Sequence, residues 1–362
     1  MPDNVVNLRN VTKEFGDITA VSDADLEIER GELITLLGPS GCGKTTTLRM
    51  IAGFERPTEG VVELNGNNVS NVPPYDRDIG MVFQYFALFP HMTVADNIAF
   101  GLKMNGVDQS EIDHRIEEVL EMISLPDVGD RYPENLSGGQ QQRIALARSL
   151  VVEPDVLLLD EPLSSLDKKL REEMRMEIMR LHRELDVTMV YVTHNQTEAL
   201  AISDRMAVMN DGEIRQVGAP MDVYQEPTDE FVADFIGSAN LIDSRVTSSD
   251  GRYELDTALG FDITAESGTT VGGRDLDTGD SVTVLLRPER LSLQTGASDE
   301  ANTLSGTLRE VTYLGSLAEY FVELADGDEM QVTSPVRGEI SVAPGDEIKI
   351  SFGPDAPVLL GE

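Results

Sequence analysis

Residues 38–46 read GPSGCGKTT and fit the spacing G-x-x-x-x-G-K-[ST] from Gly38 to Thr45. That spacing suits phosphate binding. Glycines let backbone N–H groups curl around an anion, and a following helix presents its positive N-terminus. Lys44 can reach the β- and γ-phosphates of a nucleotide, and the Thr45 hydroxyl can ligate Mg²⁺. We assign Gly38, Ser40, Gly41, Cys42, Gly43, Lys44, Thr45 and Thr46 to nucleotide binding. A second centre is VLLLDE at 156–161. Asp160 closes an apolar run and is placed to hold Mg²⁺ through water; Glu161 can orient or deprotonate an attacking water. A carboxylate pair of this kind can also be a solvated strand end or a helix cap. The phosphate loop alone does not separate a kinase, a GTPase and a motor ATPase. A glutamate beside the Mg²⁺ site points to hydrolysis, and the sequence lacks the guanine-reading N-K-x-D.

These residues need a scaffold. LITLL at 33–37 is a continuous apolar run closed by Gly38, as in a buried parallel strand, and a helix opens at about Gly43 and runs to Ala52. Alternating segments at 4–12 and 24–30, and again at 61–64 and 79–83, read as strands. Helical spacing recurs at 112–124, 141–152 and 168–185; TMVYVTH at 188–194 and 204–218 read as strand and hairpin. Strands alternating with helices indicate a mostly parallel α/β sheet. After about residue 237 helical periodicity ends. Short alternating segments at 281–293, 303–315, 318–334 and 346–353 follow, with ELADGDEM as a hairpin turn, and predict a small all-β barrel over 238–362.

The 362 residues carry 65 Asp and Glu against 28 Lys and Arg, a formal charge of −37, and no Trp. An acidic surface of this strength repels nucleic acid and anionic lipid. Cys42 is the single cysteine, which excludes an intramolecular disulfide and fits a reducing cytosol. The polar start, MPDNVVNLRNVTKEFG, has no apolar core of a signal peptide. No apolar run approaches the roughly 20 residues that span a bilayer.

LSGGQ at 136–140 is a second glycine-bearing turn running into a helix, and here the chain resembles the ATP-binding subunits of ABC transporters over 4–237. The motifs stand in family order: Phe15 in KEFG, the phosphate loop, VFQ ending in Gln84, LSGGQ, LLLDEP at 158–162, SSLD at 164–167, and His194 in YVTHNQ. The resemblance implies an α/β P-loop fold with a helical subdomain at about 85–150, and ATP with Mg²⁺ as the bound species. It implies that Phe15 stacks on adenine, although a core aromatic is the alternative. Gln84 touches Mg²⁺ and the attacking water, Glu161 is the catalytic carboxylate, and His194 contacts the γ-phosphate. Taken alone, His194 reads as structural; its role rests on the resemblance. Two subunits pack head to tail, so that Ser137, Gly138, Gly139 and Gln140 of one meet the ATP held by Lys44 of the other, and Asp167 bridges them. Asn195 stands where aspartate is commoner, with little consequence expected.

One nucleotide-binding domain without a membrane domain implies an importer subunit on the cytoplasmic face. Its partners are then a second copy or a paralogous ATPase, two membrane permease subunits and, indirectly, an extracellular solute-binding protein, with no nucleic acid. YFALFPHMTVADNIAFGLK (85–103) is apolar for its position; it is either core helix or the surface that cups a permease helix. LLRPER (285–290) and VTYLGS (311–316) resemble the accessory, TOBE-like, OB-like barrel of importer ATPases for sugars, polyamines, ferric iron and phosphonates. The link FVADFIGSANLI (231–242) is more like the polyamine, iron and phosphonate branch, which favours a polyamine or similar small polar solute over a sugar. A regulatory scaffold with incidental ATPase activity is the alternative of another class; the intact Lys44, Asp160, Glu161 and His194 favour the enzyme.

The charge excess has two readings, adaptation to a salt-rich cytosol and an acidic functional surface. On the first, solubility and ATP hydrolysis should rise with KCl into the molar range; best function at low salt would leave the second.

Overall fold

The computed structural model describes residues 4–266, 270–271, 275–294, 301–325, 327–336 and 342–361. Contacts divide the chain into two units, Met1–Pro220 and Met221–Glu362.

In the first unit, β1 (Asn4–Phe15) and β2 (Ile18–Glu29) form a long antiparallel pair. β3 (Leu33–Leu37) follows and is buried at every residue, as its unbroken apolar run predicts. Helix α1 (Lys44–Ala52) leads to β4 (Glu59–Leu64), β5 (Asn67–Asn68) and β6 (Ile79–Val82). Three helices come next, α2 (Val94–Met104), α3 (Gln109–Met122) and α4 (Gly138–Leu150). The unit ends with β7 (Val156–Asp160), α5 (Lys168–Leu185), β8 (Thr188–Thr193), α6 (Gln196–Ile202), β9 (Arg205–Asn210) and β10 (Glu213–Gly218). A four-stranded sheet has the order β2-β1-β4-β5, and a six-stranded sheet the order β10-β9-β3-β8-β7-β6. The larger sheet is parallel from β9 to β6, with β10 as an antiparallel edge.

Successive residues of its central strands enter two different cores. Ile34, Leu36, Val156, Leu158, Val190 and Val192 pack with α1 and the antiparallel sheet. Leu33, Leu157, Leu159, Met189 and Tyr191 pack with Leu146 of α4 and Met174, Ile178 and Leu181 of α5. Period-two alternation therefore survives inside runs that look uniformly apolar. α2, α3 and α4 build their own core from Ile98, Leu102, Ile112, Leu120 and Ile144. α4 opens at Gly138, ahead of the spacing at 141–152, because Ser137 and Gln140 form a capping box that recruits the signature glycines into the first turn.

Arg77 fixes the far end of α1. Its guanidinium is buried and donates to the carbonyls of Met50 (2.7 Å), Ile51 (2.5 Å), Val72 (2.9 Å) and Val69 (2.6 Å). Two of these acceptors lie in the last turn of α1, where a cation also complements the helix dipole. Desolvation pulls the Arg77 pKa down to about 10, so the side chain stays charged at neutral pH.

Among the described residues of the second unit, two short helices, α7 (Pro220–Gln225) and α8 (Glu230–Ile236), precede ten strands. β11 (Asn240–Ser248), β12 (Arg252–Thr257), β13 (Asp262–Glu266), β14 (Ser281–Leu286) and β15 (Ser292–Gln294) are followed by β16 (Asn302–Tyr313) and β17 (Leu317–Leu324). β18 (Glu329–Pro335), β19 (Glu347–Phe352) and β20 (Val358–Gly361) complete the set. They form two five-stranded antiparallel sheets, β13-β12-β11-β14-β20 and β15-β19-β16-β17-β18, closed over one core that includes Leu255, Val284, Leu308, Val322 and Ile350. Two buried asparagines join the sheets in the manner of a peptide group. Asn240 accepts from Gln331 N (2.8 Å) and donates to Gln331 O (2.9 Å), and Asn302 does the same to Thr264 (2.8 and 3.0 Å). β17 and β18 pair as a hairpin; Asp326 of the expected turn ELADGDEM lies outside the described residues.

The division at Pro220 precedes the change of texture at 237. Arg287 explains it: its buried guanidinium donates to carbonyls of Tyr224, Ala233, Gly237 and Ser238, which binds the two short helices to the β unit.

Arg77→Ala should remove a donor from four carbonyls, of which Met50 O and Val69 O keep a backbone partner, and destabilise the first unit by about 3 kcal/mol. A thermal melt in which Arg77→Ala matches the parent protein would show that this cage is dispensable.

Candidate nucleotide-binding and hydrolysis site

The phosphate loop leaves β3 and enters α1 through two left-handed glycines, Gly41 (φ 84°) and Gly43 (φ 106°). A Cβ at Gly43 would lie 2.5 Å from Ala20 O, and one at Gly38 2.3 Å from Met209 O, so neither position admits another residue without backbone movement. Lys44 is buried and its ammonium donates to Gly38 O (2.7 Å) and Pro39 O (2.8 Å), holding the loop closed on itself. Ser40 and Gly41 are exposed, and Thr45 and Thr46 are half-buried. Cys42 is buried in the core between the sheets, and its Sγ also accepts from the Lys44 ammonium (3.7 Å).

Thr45 Oγ1 donates to Asp160 Oδ1 across 3.3 Å. Asp160 is 8% exposed, and burial pushes its carboxyl above the ordinary carboxylate range. At Glu161 the chain turns left-handed (φ 44°) while Glu161 N remains bonded to Val192 O of β8 (3.0 Å). This swings the side chain off the sheet. One Glu161 oxygen then accepts from Gln84 Nε2 (3.1 Å) and the other pairs with His194 Nδ1 (3.1 Å). Gln84 also reaches Ser164 Oγ (3.3 Å). The phosphate loop, Asp160, Glu161, Gln84 and His194 thus meet at the C-terminal edge of neighbouring strands β3, β8, β7 and β6.

The remaining predicted residues stand apart from this cluster. Ser137 and Gln140 bond reciprocally in the capping box, so the Gln140 side chain is engaged by its own helix. A Cβ on Gly139 would strike Leu170 Cδ1 at 2.5 Å, whereas Gly138 has only an ordinary contact at 3.6 Å and an exposed position at the helix N-terminus. Asp167 is exposed and caps α5 by accepting from Leu170 N (3.0 Å). Phe15 is 46% exposed at the end of β1, with Lys13 Nζ 4.7 Å from its ring centre, so it is not a core aromatic.

Sequence reasoning missed Glu198. It is 5% exposed, and its carboxylate accepts from Tyr191 Oη (3.0 Å), Thr193 Oγ1 (3.0 Å) and Asn195 Nδ2 (3.2 Å). These bonds pin the segment on either side of His194. Burial beside Glu198 also holds the Tyr191 phenol well above its ordinary pKa, so it stays a donor. Asn195 caps α6 through Oδ1 (3.2 Å from Glu198 N) while its amide donates to the Glu198 carboxylate. An aspartate could cap but not donate, which gives the departure at this position a structural role. The readable signal was Asn195 followed three residues later by Glu198, a capping-box spacing.

Asp160 gives a signed prediction. Its raised pKa means that the ionised, buried carboxylate burdens the ligand-free fold at neutral pH, a burden that fades as pH falls below the folded pKa. Asp160→Asn, which can still accept from Thr45, should therefore raise the melting temperature at pH 7, less so near pH 4, while abolishing ATP turnover. A lower melting temperature at pH 7 would contradict this.

The family model for the ABC transporter matches residues 21–164, and the model for the TOBE domain matches 284–360. The spermidine/putrescine import ATP-binding protein of Pseudomonas aeruginosa is 48% identical over 91% of both chains. That of Rubrobacter xylanophilus is 46% identical over 98% of this chain and 93% of its own. Among solved structures, a dimeric ATP-binding cassette in a post-hydrolysis state with ADP and phosphate is 34% identical, with a TM-score of 0.53, and covers 59% of this chain and 98% of that one. With the phosphate loop, the paired carboxylates and the β unit all inside these matches, the chain belongs to the family of ATP-hydrolysing subunits of ABC importers that carry a C-terminal TOBE domain.

Proposed function

We propose that this chain is the motor of a polyamine importer, hydrolysing ATP as one of two identical subunits beneath a pair of membrane permeases. The observation that carries the cargo is the near full-length similarity to spermidine/putrescine import proteins; the sugar alternative has no such support from them.

The Lys44 ammonium lets go of the Gly38 and Pro39 carbonyls and donates instead to the β- and γ-phosphates, and α1 adds its N-terminal N–H groups. Mg²⁺ suits the residues present: the Thr45 hydroxyl and Asp160 carboxylate converge as hard oxygen donors, the Gln84 amide follows the neighbouring strand, and a cation would favour the ionised form of Asp160. When bound there, it neutralises charge on the phosphate oxygens. Glu161 accepts a proton from the attacking water as its oxygen bonds to the γ-phosphorus and the bond to ADP breaks. His194 and Gln84 hold that carboxylate; His194 also contacts the γ-phosphate, and Gln84 reaches the attacking water.

The second copy supplies Ser137 Oγ and the N–H groups of Gly138 and Gly139 to the γ-phosphate; the exposed helix N-terminus at Gly138 supports this, as does the dimeric state of the related structure. Asp167, exposed at the start of α5, bridges the copies. Phe15 stacks on adenine; its ring is 46% exposed, with the Lys13 ammonium beside it. A groove of about 430 Å³ lined by Met81, Phe83, Phe89, Phe100 and Val152 lies just past Gln84 and fits an apolar permease helix. Among the described residues no helix is long and apolar enough to cross a membrane, in keeping with a peripheral subunit on the cytoplasmic face.

In a host deprived of polyamine uptake by loss of this gene, the parent chain should restore accumulation of labelled spermidine, and Glu161→Gln should not. The purified Glu161→Gln protein should form a dimer only with ATP. Restored uptake of maltose instead of spermidine would reassign the cargo; a monomer at saturating ATP and Mg²⁺ would refute the shared site.

A further inference from the structure

Near the end of the stretch LSGGQQQRIALARSL stand two polar residues that the nucleotide chemistry does not use, Arg148 and Ser149. Both sit in the last turn of α4, and both reach back to the chain around Gln84. Ser149 Oγ donates to Met81 O (2.9 Å), three residues before Gln84. Arg148 donates through Nη1 to Ala87 O (2.7 Å) and through Nη2 to Phe86 O (3.1 Å), just after it. Its guanidinium also lies over the Phe89 ring, 5.6 Å from the centre.

The backbone that Arg148 grips is strained. Phe86 (φ 58°) and Ala87 (φ 48°) are consecutive non-glycine residues in the left-handed region, where a Cβ crowds the carbonyl. Such a conformation persists only where surrounding structure enforces it. The forked, half-buried guanidinium holds it from outside by donating to its two successive carbonyls, while the Phe86 side chain packs on the core beneath. The turn in turn determines where the chain leaves β6 and hence where Gln84 meets Glu161.

We propose that Arg148 is a positioning residue for hydrolysis: by clamping the strained turn Phe86–Ala87 it aims Gln84 at Glu161, and it links Gln84 mechanically to the helix whose N-terminus is Ser137–Gly138. Motion of α4 when its N-terminus engages nucleotide is then transmitted through the last turn to Gln84. The inference rests on Gln84 and Glu161 belonging to the hydrolysis site and is independent of the transported solute.

The test uses the full chain and its ATPase activity. Arg148→Gln should lower kcat about tenfold or more while the KM for ATP stays within about twofold, because Lys44 and Phe15 are untouched. Gln84→Ala should have a similar effect, and the double variant should be no slower than Gln84→Ala alone. Ala87→Gly, which makes the left-handed turn cheap, should restore most of the activity lost in Arg148→Gln. Since the chain has no Trp, Tyr85→Trp provides a reporter next to Gln84, and its ATP-dependent fluorescence change should vanish with Arg148→Gln. Should Arg148→Gln not fold, Arg148→Lys, which keeps charge and stem without the fork, is read by the same cycle and reporter. Losses that multiply in the double variant, no rescue by Ala87→Gly, or a reporter indifferent to Arg148 would each overturn the proposal. Failure of spermidine uptake would refute the cargo and leave this cycle standing.

Discussion

A single carboxylate, Glu161, is held by donors from the two strands that flank its own. Gln84 follows β6, His194 follows β8, and Glu161 leaves β7 between them. The rest of the first unit can be read as what that convergence requires. Strand order places the three side chains side by side, the left-handed turn at Glu161 lifts its carboxylate off the sheet, and Asp160 remains behind against Thr45. Fully buried strands make the frame rigid, since each apolar side chain of β7 and β8 is committed to one of two cores.

In both units the protein uses cations and amides to close backbone that regular structure leaves open. Arg77 takes up the carbonyls at the end of α1, and Arg287 those of the helices entering the β unit. Asn240 and Asn302 complete the strand edges of the barrel, and Asn195 caps α6 while serving Glu198. These buried donors carry no share of the chemistry, yet removing one would leave carbonyls dry and unpaired. They keep a chain of strongly negative charge folded by placing its few cations where carbonyls accumulate.

The two glycine-bearing turns are unlike in kind. The first is closed on itself by Lys44, and its glycines are required by backbone contacts inside the chain. The second is open: a Cβ at Gly139 would push only on the Leu170 side chain, and among the described residues nothing crowds Gly138. An unencumbered helix N-terminus on the surface is what a shared nucleotide site needs from each copy.

Much of this was legible along the chain. The phosphate loop, the carboxylates closing VLLLDE, the buried strands, α5 over 168–185 and the switch to an all-β unit follow from local pattern, because glycine spacing, apolar runs and caps act over a few residues. What local pattern could not supply was pairing across distance. Gln84 meets Glu161 over 77 positions and His194 meets it over 33, and strand order alone decides both. The same holds for Arg77 with α1, Arg148 with the turn after Gln84, and Arg287 with the helices at 220–236, which moved the division of the chain to Pro220. An arginine in sequence is a charge of unknown address; only the packed core creates the carbonyl cage that it fills, and so only the tertiary structure says which cations hold the site in place.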